Sequence, residues 1–135
     1  MVTDKIIQII HTNLHKYIGI NNVAMYPSNC LIKYAFDIYD YHFEILYNHV
    51  DNFYRIVVEK SHSNKLQNVM FLTKSKRFHK DIKILLKKLN LAGKSFEDHV
   101  NAFTLYIVEF LERDENLNCF IETYICDLNF DGVFI

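Results

Sequence analysis

Two histidines four residues apart, His11 and His15, are the first residues whose type and spacing could do chemistry. On a helix that spacing sets both imidazoles on one face, as a metal site needs. The Glu that follows the first His in metalloproteases is missing, and no third ligand is assigned by spacing. No metal is therefore expected, with His11 and His15 as the weak candidates. His42 and Glu44 alternate onto one strand face as half of the deaminase His-x-Glu arrangement, but the Pro-Cys-x-x-Cys that completes it is absent. Cys30, Cys119 and Cys126 are odd in number and form no CxxC pair, which argues against a disulfide framework and for buried, reduced thiols. Carboxylate pairs such as Asp37 with Asp40, or Asp51 with Glu59, could serve a hydrolase or nuclease metal, yet no ordered Asp, Glu-x-Lys series appears. Gly19, Gly93 and Gly132 stand alone and cannot build a phosphate-cradling loop. No catalytic residue and no cofactor is assigned.

These residues need a scaffold, and 135 residues with a mass of 16.1 kDa correspond to one domain spanning 1–135. A chain that is 50% hydrophobic with 3 Gly and 1 Pro is neither disordered nor collagen-like. The expected fold is α+β: an N-terminal helix, an antiparallel β-meander of three to five strands, then two amphipathic helices. A C-terminal strand or helix over 119–128, more strand-like than helical, completes the packing on one sheet face. Ile6, Ile7, Ile10, Leu14, Tyr17 and Ile18 recur at helical spacing and predict a first helix over 3–18, capped by Thr3 and stopped by Gly19. Pro27 confines a short strand near Val23 to Tyr26 to a sheet edge. Strands follow at 30–38, 41–48 and 53–60, divided at Tyr39-Asp40 and at His49 to Asn52, with a fourth at Val69 to Thr73. Their short connections require antiparallel pairing. Alternation of Tyr41, Phe43, Ile45 and Tyr47 with His42, Glu44, Leu46 and Asn48 gives one apolar and one mixed face, the apolar one covered by helices. A second helix over 76–89 is ended by Gly93. A third is capped by Ser95 with Asp98 three residues on, and buries Val100, Phe103, Ile107 and Phe110 or Leu111 as the central helix.

Charge is segregated along this order. Residues 1–59 carry 4 Lys or Arg and 6 Asp or Glu, residues 60–94 carry 10 and 1, and residues 95–135 carry 1 and 9. A formal net charge of −1 thus conceals segments of +9 and −8. In the second helix Lys76, Lys80, Lys83 and Lys87 form one stripe, flanked by Arg77 and Lys88 and preceded by Lys74. Phe78, Ile82, Leu85 and Leu89 follow the opposite stripe. Such a basic face is a solvated surface paired with the acidic third helix, a dock for an acidic protein, or a site for nucleic acid or anionic membrane. Glu109, Glu112, Asp114 and Glu115 form the acidic counterpart, at a helix C-terminus where the macrodipole disfavours negative charge. Tyr39, Tyr41, Tyr47 and Tyr54 in the sheet region supply candidate aromatic anchors for an interface, or else pair across strands at the core rim.

In general build alone (small, charge-polarised, helix then sheet then helices) the chain resembles bacterial toxin-immunity proteins and phage-encoded inhibitors. That resemblance implies a non-enzymatic protein that masks another protein's active surface. The expected function is therefore a binding protein that neutralises or escorts a partner such as a toxin, an effector or a host or defence enzyme. A nucleic-acid-binding module using the basic helix 76–89 and a small metal-dependent hydrolase or nuclease are the alternatives, and a homodimer stays open. The first ten residues lack the basic start and long apolar run of a secretory signal, and no run reaches the roughly 18–20 apolar residues of a membrane span, so a cytoplasmic protein is expected.

Overall fold

The computed structural model describes residues 4–20, 22–39, 41–60, 70–71, 76–91, 93 and 95–112. Helix α1 (Lys5–Leu14) begins at Asp4, whose Oδ1 accepts hydrogen bonds from the backbone of Ile6 at 2.8 Å and Ile7 at 3.3 Å. A short carboxylate there satisfies two N–H groups that a helix start leaves unpaired. The cap is thus Asp4 and not the expected Thr3, which lies outside the described residues. Asp4 Oδ2 also accepts from Tyr34 Oη at 3.1 Å, tying the helix start to the sheet. The helix proper stops short of the expected residue 18, but Tyr17 and Ile18 still donate to Leu14 O, so one further turn brings Ile18 into the core.

Among the described residues, five antiparallel strands form one sheet in chain order: β1 (Ala24–Pro27), β2 (Leu31–Ile38), β3 (Tyr41–Asn48), β4 (Phe53–Lys60) and β5 (Met70–Phe71). Pro27 sits on the edge strand, where its missing N–H breaks no ladder. Tyr39, at φ 54°, turns the chain out of β2, and β2 and β3 pair in a fixed register. Ile38 then faces Tyr41, Phe36 faces Phe43, and Asp37 faces His42. Asn52 at φ 55° does the same work between β3 and β4.

The alternation is as expected: Tyr34, Phe36, Ile38, Phe43, Ile45, Ile56 and Val58 are buried on the helix-facing side. The rings of Phe36 and Phe43 stack at 5.2 Å, and Phe103 of α3 (Phe96–Glu112) closes over Phe43 at 6.2 Å. Each such side chain contributes roughly 1.5–3 kcal/mol by leaving water. Helix α3 packs against α1 on one side and α2 (Lys76–Lys88) on the other, which makes it the central helix. Thr104 at its buried centre donates to Val100 O and accepts from Asn13 of α1.

The helix ends differ from expectation in one place. Helix α2 is terminated by Asn90 at φ 57°, with Leu91 N donating to Leu86 O and Asn90 N to Lys87 O. This is a Schellman closure, for which Asn, able to enter the left-handed region, substitutes for the expected Gly93. Gly93 is left-handed too (φ 72°), but its N–H binds Asp98 Oδ2 and so belongs to the start of α3. There Ser95 Oγ accepts from Asp98 N at 3.1 Å, as the capping pattern predicts. Leu86 rather than Leu89 completes the buried stripe of α2. Cys30, expected to be buried, is exposed because it falls in the β1–β2 turn. Cys119, Cys126 and the 119–128 element lie outside the described residues. Among those residues no helix is long and apolar enough to cross a membrane.

Candidate interaction surface

Helix α2 docks through Phe78, Ile82, Leu85 and Leu86, which turns its opposite side outward. Lys76, Lys80, Lys83 and Lys87 are all exposed there. With a rise of about 1.5 Å per residue they form a line roughly 16 Å long. None of these four makes an ion pair among the described residues. Arg77 and Lys88 flank the line, and Ile84, 56% exposed, stands beside it as an apolar spot within a basic surround. Asp81, the helix's one acid, is turned aside: its Oδ2 accepts from Tyr106 Oη of α3 at 3.2 Å. Lys88 lies 3.9 Å from Glu109 across the same α2–α3 groove, whose volume is about 290 Å³. The outer face of α2 therefore carries one sign of charge. Lys74 lies outside the described residues.

The acidic set behaves differently. Glu112, the last residue of α3, accepts from Tyr17 Oη at 2.9 Å and from Lys16 Nζ at 3.2 Å. The Tyr17 hydrogen bond first, and then Lys16, hold its carboxyl below the ordinary carboxylate value. A negative charge at the unfavourable end of the macrodipole is thus held by partners within the fold. Asp114 and Glu115 lie outside the described residues. Of the four tyrosines, only Tyr39 presents its ring to solvent, at 70% exposure. Tyr41 is buried, Tyr47 stacks on Phe96 at 3.8 Å, and Tyr54, its cross-strand neighbour, donates to His99 Nδ1 at 2.6 Å.

Two polar arrangements lie away from the charged helix faces. His99 Nε2 donates to Gly93 O at 2.8 Å, so Nδ1 is the acceptor and Tyr54 the donor. Burial pushes the Tyr54 hydroxyl up to about 12, keeping it a neutral donor. Together they line a cavity of about 290 Å³ with Tyr47, Asn52, Phe53 and Phe96. On the sheet face away from the helices, His42 Nδ1 lies 2.6 Å from Asp37 Oδ1 and Nε2 lies 2.9 Å from Glu44 Oε2. Burial pulls the His42 imidazolium down, but hydrogen bonds to and the charges of Asp37 and Glu44 together raise its pKa above the ordinary 6.5. Each nitrogen faces a carboxylate oxygen, so the protonated ring donates from both and offers no lone pair to a metal. The shared face of His42 and Glu44 was predicted; the Asp37 partner follows from register. Asp51 lies in the turn before β4 and Glu59 near the far end of that strand, so the two cannot act together.

Among the described residues, no group of three or more His, Cys, Asp or Glu is arranged to hold a metal ion. No protein-family model, curated protein or solved structure matches the chain.

Proposed function

We propose that the chain is a cytoplasmic, non-enzymatic binding protein that docks an acidic protein surface through the outer face of α2, neutralising or escorting its partner. One observation carries this reading: Lys76, Lys80, Lys83 and Lys87 line up outward without a carboxylate partner among the described residues, while Asp81 is drawn to α3. Like charges three and four apart on a helix destabilise it by about 0.2–0.5 kcal/mol per pair. A partner bearing carboxylates at matching intervals would relieve that repulsion. The same field would speed association and reject cationic surfaces. Ile84 supplies an apolar contact that such a partner can cover.

The test is affinity purification of the tagged full chain from nuclease-treated host extract, beside the Lys80→Glu/Lys83→Glu variant. Each captured protein is then remade and titrated directly against both chains at several salt concentrations. Expected is an acidic partner that binds the wild-type chain, is lost with the double variant and weakens as salt rises. Partners retained equally by both chains would refute the reading. Tight binding of a short DNA or RNA duplex with a steep salt dependence would instead assign the face to a phosphate backbone.

A further inference from the structure

We propose that His11 and His15 form a two-imidazole chelate for a borderline divalent transition-metal ion, binding Cu²⁺ most tightly and Ni²⁺ and Zn²⁺ more weakly. His15 directly follows α1 yet keeps helical backbone angles, φ −57° and ψ −23°. Helical residues four apart hold their Cβ atoms roughly 5–6 Å apart on one face, within reach of a single ion at about 2.0–2.1 Å from each nitrogen. The second observation concerns the proton. His15 Nδ1 lies 3.1 Å from Thr12 O, and a carbonyl oxygen only accepts, so Nδ1 carries the hydrogen and Nε2 is the nitrogen offered to a metal. Metal-binding histidines are oriented in this way, with the non-ligating nitrogen donating to a backbone carbonyl.

There is also room. His11 and His15 line one cavity of about 510 Å³ together with Thr12, Ile18 and Ile20. A water takes about 30 Å³ of liquid volume, so an ion and the waters that complete its coordination fit. Ile18 and Ile20 supply the apolar part of its lining. The neighbouring Lys16 ammonium is drawn to Glu112 at 3.2 Å. Two protein donors leave the remaining positions to water, which makes this an exchangeable site and not a closed structural one. Only the helical chain brings both rings to one ion, so binding favours the folded state.

Calorimetric titration of the metal-free full chain with Cu²⁺, Ni²⁺ and Zn²⁺, paired with thermal melts in each ion, tests the site. Wild type is expected to bind one ion and to melt higher with it. His15→Gln and His11→Gln are each expected to weaken binding by about 10-fold or more and to abolish the melting shift. His15 is exposed, so its variant decides the matter even where His11→Gln does not fold. Unchanged affinity in His15→Gln, or no binding by wild type beyond that of a lone imidazole, overturns the proposal.

Discussion

Helices α2 and α3 are both amphipathic and adjacent, yet they treat their charges in opposite ways. In α3, Glu112 is held by Tyr17 and Lys16, Glu109 faces Lys88, and Asp98 accepts from Gly93 N. In α2, Asp81 and Lys88 engage α3 at the groove, while the four lysines of the outer line make no ion pair among the described residues. Asp98, Glu109 and Glu112 of α3 are thus engaged within the fold. Lys76, Lys80, Lys83 and Lys87 have no such partner among the described residues, which leaves that row of like charges available to something outside the fold.

Removing Phe103 should have the largest effect, because it is 1% exposed and lies between Phe43 and Phe78. Phe103→Ala is expected to lower stability by about 3–5 kcal/mol in urea unfolding, with the slope unchanged. A loss below about 1 kcal/mol would show that α3 is not the central helix and would dissolve the contrast with α2. Next comes Asp4, a charge that the fold does use: Asp4→Ala removes the α1 cap and the acceptor for Tyr34, for an expected loss of about 1–2 kcal/mol by the same measurement.

The sheet was almost fully legible because period-two alternation and turn residues act locally. Strands expected at 30–38, 41–48 and 53–60 stand at Leu31–Ile38, Tyr41–Asn48 and Phe53–Lys60. Helix termini were less so, since Thr3 and Asp4, or Asn90 and Gly93, are competent neighbours and only the hydrogen-bond geometry selects between them. The basic stripe could be read from spacing alone; whether it would be neutralised could not, because Asp81 meets Tyr106 only through the packing of α2 on α3. The Tyr54–His99 pair joins residues 45 apart in sequence and left no local signal. The Asp37–His42 pair did leave one: the short spacing between β2 and β3 implies the antiparallel register that puts them face to face.

That pair gives a smaller, pH-dependent effect. His42 has a pKa raised above 6.5 in the fold, so the native state binds its proton more tightly than the unfolded chain does. The stabilisation is complete below the unfolded value and is lost as pH rises through the folded one. Comparing wild type with His42→Gln by urea unfolding, the advantage of wild type is expected to be larger at about pH 5.5 than at about pH 8.5. A difference that grows with pH would mean that Asp37 and Glu44 do not hold the imidazolium. Lys33, 3.8 Å from Glu44, competes for one of the two carboxylates and keeps the effect modest.

The smallest expected change in stability is the most informative about α2. Replacing Lys80 and Lys83 by Gln deletes two exposed cations that have no ion-pair partner among the described residues and relieves repulsion along the line. Stability is expected to stay within about 0.5 kcal/mol of wild type, or to rise by that much. If these lysines were instead neutralised within the fold, the same variant would be destabilised, and most strongly at low salt, where surface ion pairs are least screened. Melting the two chains across a salt series separates these cases before any partner is known. A Lys80→Gln/Lys83→Gln chain that melts with wild type at every salt concentration but no longer binds the partner would place the purpose of the stripe outside the fold.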